Sequence, residues 1–230
     1  MDGLNILTLS GWTQPADALL KLAPQADFVD YADATHPQEV AEKLTKRDYD
    51  LVIGWSLGGI IARHLLSEKV LETTALITIS SPYQFVRNEQ VHAAMPADTF
   101  EQFYTNYRDD TQRTVKRFHG LVLKGDKRMK ELTGTLGHHD RVHEVGSWLP
   151  WMDVLKGYSA KQKNYENLPP TLIVHGTEDA IVPREQAELL KDHLPSAEML
   201  ILEGCGHAPH LHAPDEVRAA IQNFHRKVAS

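Results

Sequence analysis

The 230-residue sequence has one cysteine, Cys205, so no intrachain disulfide can staple it, which suits a reducing compartment. No run approaches the ~20 consecutive apolar residues that cross a bilayer. Its first residues, Met1-Asp2-Gly3-Leu4-Asn5, supply neither a cationic leader nor an apolar stretch. These absences predict a soluble, cytoplasmic protein with no membrane attachment. An excess of positive charge is missing too: 31 acidic against 24 basic residues leave a net charge of −7, which argues against general nucleic-acid binding. Repeats and low-complexity tracts are also lacking, which excludes a solenoid.

What is present fits one globular domain. Apolar residues make up 42% of a chain somewhat longer than a minimal domain needs, predicting a single core with an insertion. Short apolar runs at 4–9, 26–30, 50–53, 74–80, 171–175 and 198–202 read as strands. Helical patterns at 16–22, 37–46, after Gly59, at 184–194 and from Pro214 alternate with them. That alternation predicts an α/β fold with a mostly parallel sheet of about six strands flanked by helices. Residues 82–168 are polar and helix-compatible, with aromatics but no convincing buried strand. They are expected to form a helical lid inserted at the carboxyl end of the sheet, leaving 1–81 and 169–230 as the core.

The chain is organised around Gly54-Trp55-Ser56-Leu57-Gly58, a G-x-S-x-G pentapeptide between an apolar strand and an apolar helix. In such an elbow the serine stands on a strained turn at a helix N-terminus, where free N–H groups favour developing negative charge. Ser56 is the expected nucleophile. The N–H of Leu57 and that of Trp12, in the loop after the first strand, are the expected oxyanion donors; the Trp12 indole would wall the acyl pocket. A serine nucleophile needs a base, and the base needs an acid to orient it. Asp179 follows the fifth run and His207 the sixth, in the chain order serine, acid, histidine. Glu178 competes as the acid, and His210 and His212 compete as the base. Asp179 is favoured because it leads directly into Ile181-Val182-Pro183, and His207 because Gly204 and Gly206 precede it. His207, His210, His212 and Cys205 could suggest a metal site, but no second cluster of compatible spacing supports one. Trp55 and Cys205 read as packing residues.

From Arg113 to Lys130 there are seven basic residues against one acid, Asp126, a local +6. At helical spacing Arg113, Arg117, Lys124 and Arg128 would share one stripe and Val115, Phe118, Val122 and Met129 another, with Gly120 and Gly125 as possible breaks. Either this is a solvated amphipathic helix, or it is a face for an acidic partner or a phosphate.

With these residues in place the chain resembles the α/β-hydrolase family, and within it the pimeloyl-[acyl-carrier protein] methyl ester esterases of biotin synthesis. The resemblance is carried by Gly54-Trp55-Ser56-Leu57-Gly58-Gly59, by Ile79-Ser80-Ser81-Pro82, by Asp109-Asp110-Thr111-Gln112-Arg113-Thr114-Val115-Lys116-Arg117-Phe118 and by His207-Ala208-Pro209. It implies a monomeric serine carboxylesterase with no metal or organic cofactor, acting on a pimeloyl methyl ester held by an acyl-carrier protein. It further implies that Arg113, Arg117 and Lys130 contact the carrier or its phosphopantetheine, and that Phe118 lines the acyl channel. Three features depart from the pattern. Ser10-Gly11 replaces histidine-glycine before the tryptophan, the stretch between Asp30 and Asp50 is short, and a further basic position falls on Gly134. Two rival readings are a broad carboxylesterase for small free esters and a non-catalytic binding protein of the same fold.

Overall fold

A computed structural model describes residues 1, 3–136, 148–162, 165–194 and 196–229. Six parallel strands form one sheet in the order β2-β1-β3-β4-β5-β6: β1 (Ile6–Leu9), β2 (Asp27–Phe28), β3 (Asp48–Trp55), β4 (Glu72–Ile79), β5 (Thr171–Gly176) and β6 (Ala197–Leu202). The middle strands are buried on both faces, which is why they read as continuous apolar runs rather than as alternation. Between them run α1 (Pro37–Glu42) and α2 (Leu57–Ser67), the latter packed on β1, β3 and β4. Among the described residues four α-helices lie between β4 and β5: α3 (Ala97–Asp109), α4 (Thr111–Val122), α5 (Met129–Leu136) and α6 (Leu149–Gly157). The chain ends with α7 (Glu185–His193), the single turn α8 (Pro209–His212) and α9 (Pro214–Val228), which packs against β4 and β5. No helix among the described residues is long and apolar enough to cross a membrane.

The sheet positions the site. The chain leaves β1 toward β2 on one side and returns to β3 on the other, so the loops after β1 and β3 diverge at the carboxyl ends of these neighbouring strands. In open parallel sheets that divergence opens a crevice where ligands bind. The loop after β1 carries Trp12, and β3 leads into Ser56.

Several local expectations are corrected. Residues 16–22 form successive tight turns rather than an α-helix, with Ala18, Leu20 and Leu22 donating three residues back. Pro15 and Pro24 bound the segment, leaving too few residues to nucleate a helix. The second strand shrinks to the edge pair Asp27–Phe28, with Phe28 exposed. The first helix stops at Glu42, four residues early. The basic helix ends at Val122, so Lys124 and Arg128 stand beyond it and do not share a stripe with Arg113 and Arg117. Gly125, at φ +85°, makes the break. Met129 is exposed rather than packed on the apolar face. Of the segment expected as a lid, 137–147 and 163–164 lie outside the described residues.

Candidate active site

Ser56 occupies the turn from β3 to α2 at φ 53°, ψ −115°, a left-handed conformation that a side chain adopts only with strain of about 1–3 kcal/mol. Its surroundings hold it there. The Ser56 N–H donates to Ile79 O (2.8 Å), and its carbonyl accepts from Ser81 Oγ (2.8 Å). Two glycines let the backbones meet: a Cβ on Gly54 would stand 2.5 Å from Gly59 Cα, and one on Gly58 would stand 2.0 Å from Leu9 O. No side chain fits at either place.

The acid and the histidine arrive from the next strands. Asp179, in the loop after β5, is buried, and its Oδ1 accepts from the N–H groups of Ile181 and Val182 (2.9 Å each). Its Oδ2 stands 2.7 Å from His207 Nδ1 and 3.4 Å from His175 Nε2. Burial opposes the charge on Asp179, but His207, His175 and the Val182 N–H outweigh it and hold the carboxyl below its ordinary range. At His175 burial prevails instead, holding the imidazole below its ordinary range despite Asp179 beside it. With Nδ1–H directed at the carboxylate, His207 presents Nε2 as its acceptor. That nitrogen is buried and makes no hydrogen bond in the structure, to Ser56 or to any other described residue. The arrangement can hold one proton between acid and imidazole while leaving a free base at the same end of the sheet as Ser56. Glu178, the rival acid, is exposed.

Trp12 N–H and Leu57 N–H donate to no acceptor among the described residues. Both stand at the crevice between β1 and β3, where an anion would find two donors. The Trp12 indole is buried beneath the inserted helices: its Nε1 donates to Trp148 O (3.1 Å), and Phe118, Tyr107 and Phe103 pack their rings 5.0, 5.2 and 5.3 Å away. Phe118 and Phe103 also line an open groove between α3 and α4 with Thr114, Leu121 and, at its rim, Arg117. Arg113 and Arg117 on α4, and Lys130 on α5, are exposed.

The rival histidines have other settings. His210 is buried with its ring 4.4 Å from Trp55 and both nitrogens unpartnered. His212 Nδ1 stands 2.9 Å from both oxygens of Asp126. Asp126, Cys205 and His212 offer ligand atoms within 4.8 Å of one another. The Asp126 oxygens, however, already accept from the N–H groups of Gly206 and Arg128, and burial, with Asp126 nearby, pushes the Cys205 thiol up toward its protonated form. That is the chemistry of a hydrogen-bonded acid–histidine pair rather than of a metal ligand set. Three contributors escaped the sequence reading. Trp55 is more than packing, since its Nε1 donates to His207 O (2.9 Å). Ser81 and Asp126 are the others: Ser81 stood in the Ile79–Pro82 stretch without a role, and Asp126 showed only as the lone acid in the basic run.

Comparison with known proteins places the chain in a family. The sequence profile of the "Alpha/beta hydrolase family" matches residues 7–220. The chain is 33% identical over 192 residues to the "Biotin biosynthesis bifunctional protein BioHC" of Teredinibacter turnerae, covering 77% of itself but only 33% of that longer protein. It is 30% identical to the "Pimeloyl-[acyl-carrier protein] methyl ester esterase" of Nitrosospira multiformis, covering 76% of this chain and 68% of the relative. Among solved structures, an esterase from Exiguobacterium antarcticum superposes with a TM-score of 0.80 over 97% of this chain and 92% of its own, at 17% identity, a likeness of fold alone.

Proposed function

Because the chain belongs to the alpha/beta hydrolase family, we propose that Ser56, His207 and Asp179 form a catalytic triad that hydrolyses a carboxylic ester, namely the methyl ester of a pimeloyl chain carried by an acyl-carrier protein. The observation that carries the chemistry is the buried 2.7 Å contact between His207 Nδ1 and Asp179 below the Ser56 elbow. The substrate rests on the relatives of that name and on the cations exposed along α4.

In this reading Ser56 Oγ attacks the ester carbonyl as His207 Nε2 takes its proton, and Asp179 stabilises the imidazolium. The N–H groups of Trp12 and Leu57 receive the oxyanion. Collapse of the tetrahedral intermediate expels methanol, which leaves with the proton from His207. Water, deprotonated by the same nitrogen, then attacks the acyl-enzyme and frees Ser56 and the carboxylate. Residues 82–168 act as a lid: Arg113, Arg117 and Lys130 hold the carrier, and the groove past Phe118 admits the acyl chain. No step requires a metal or an organic cofactor.

The test is kcat/KM for pimeloyl-carrier methyl ester and for p-nitrophenyl acetate, in wild type, Ser56→Ala and Arg113→Glu/Arg117→Glu. Ser56→Ala should lose on the order of 10⁶-fold in kcat on both substrates. The double charge reversal should raise KM for the carrier substrate alone, and added salt should do the same. Activity indifferent to Ser56→Ala would overturn the triad. Serine-dependent turnover of the small ester only would discard the carrier and leave a broad carboxylesterase.

A further inference from the structure

Asp126 is the one acid in the basic run and its side chain is fully buried, so it cannot serve the surface charge. It stands in the turn between α4 and α5, where its carboxylate reaches across to the loop that carries His207. Oδ2 accepts from the N–H of Gly206 (3.0 Å), the residue before His207, and Oδ1 accepts from the Arg128 N–H (2.7 Å). His212 Nδ1, one helical turn beyond His207, is 2.9 Å from both oxygens.

The contact is one of a set. Val122 O, at the end of α4, accepts from the His207 N–H (2.9 Å), and the Lys127 N–H donates to Gly204 O (3.0 Å). The Arg128 guanidinium donates to His212 O. From the sheet side, Trp55 Nε1 holds His207 O, and the Glu178 N–H holds Cys205 O (2.9 Å). The peptides flanking His207 are therefore clamped between the elbow and the turn after α4. Fit at this turn is close: a Cβ on Gly206 would lie 3.0 Å from Val122 O.

We propose that Asp126, paired with His212, is a positioning residue for His207, so that the inserted helices set the catalytic base as well as cover it. This rests on the triad reading above. A carboxylate suits the role because its two oxygens can accept from Gly206, Arg128 and His212 at once, whereas an asparagine would turn its own N–H₂ toward one of these donors. With no acceptor, the Gly206 N–H is left buried and unpaired, the 204–207 loop relaxes, and the His207 ring shifts relative to Asp179 and Ser56. A displacement of about 1 Å at a reacting group costs on the order of 10²-fold.

The experiment is steady-state hydrolysis of p-nitrophenyl acetate by the full chain, with the release burst counting competent sites, in wild type, Asp126→Ala, Asp126→Asn, His212→Ala and His212→Asn. Asp126→Ala and Asp126→Asn should lower kcat per competent site about 10- to 100-fold with KM unchanged. His212→Ala should follow them. His212→Asn, whose amide N–H can occupy the place of Nδ1–H, should recover most of the loss. Lys21→Ala, exposed between β1 and β2, should match wild type. Unchanged kcat per competent site in the Asp126 variants, with only fewer sites or a lower melting temperature, would overturn the proposal and leave a purely structural clasp. Equal loss in His212→Ala and His212→Asn would refute the pairing. Failure of the triad reading looks different: wild type itself would then show no Ser56-dependent burst.

Discussion

His210 permits a quantitative test of how the elbow is packed. Its ring lies against Trp55, is buried, and has no hydrogen-bond partner for either nitrogen. Burial, with His207 as a second cationic site nearby, lowers its pKa from 6.5 to about 3. The folded state therefore holds His210 neutral through a range in which the unfolded chain protonates it. For a histidine with a depressed folded pKa, the unfolded state binds more protons between the two values, so stability falls as pH drops below 6.5 and goes on falling to about 3. Each pH unit in that window is worth about 1.4 kcal/mol, so at about pH 5 His210 alone destabilises the fold by roughly 2 kcal/mol relative to about pH 7.5. Urea unfolding of wild type and His210→Leu at both pH values isolates this. The variant should lose about 2 kcal/mol less than wild type on acidification, because His175 and every other titrating group are common to both chains. Parallel losses in the two proteins would refute the reasoning and show that His210 is solvated or partnered in solution.

Two more outcomes follow from packing. Gly58→Ala should abolish folded protein, because its Cβ would press on the β1 main chain at Leu9 O and Ser10 O, whereas Gly120→Ala, with open space around it on α4, should fold and gain up to ~1 kcal/mol; circular dichroism and urea midpoints decide both. Gln14 is buried beside the elbow with both amide atoms unpartnered, so Gln14→Leu should raise stability by about 1–3 kcal/mol in the same unfolding assay, and a loss would show that the amide is hydrogen-bonded in solution.

The parallel sheet was legible because its central strands are buried on both faces and must be apolar throughout, as Thr74-Ala75-Leu76-Ile77-Thr78-Ile79 is. Segments whose fate depends on a neighbour were not. Residues 16–22 carry a helical spacing of Ala and Leu, yet the prolines on either side and the burial of Leu19 and Leu22 favour a chain of turns. The same division runs through the site. Ser56, Asp179 and His207 each follow a strand, and strand ends in a parallel sheet converge whatever the loops between them do. Trp55 and His207 are 152 residues apart, and Asp126 and Gly206 are 80 apart. No local pattern announces contacts of that kind, since they exist only once the β3 elbow and the turn after α4 have met the loop after β6.

The charge of the inserted helices shows why composition and position must be read together. A tally of Arg113 to Lys130 subtracts Asp126 from seven cations. The fold withdraws different residues: Asp126 turns inward to Gly206 and His212, and Arg128 is neutralised by Glu131 while it holds His212 O. Arg113, Lys116, Arg117, Lys124, Lys127 and Lys130 remain exposed, and none of the six forms an ion pair among the described residues. On the proposed reading the cations offered to a carrier are unneutralised, and the acid that seemed to dilute them is spent on the loop of His207. Removing Asp126 would thus leave the outward field nearly intact and disturb the chemistry, whereas reversing Arg113 and Arg117 would weaken the field and spare the chemistry. The two kinds of variant should separate cleanly into changes in kcat and changes in KM.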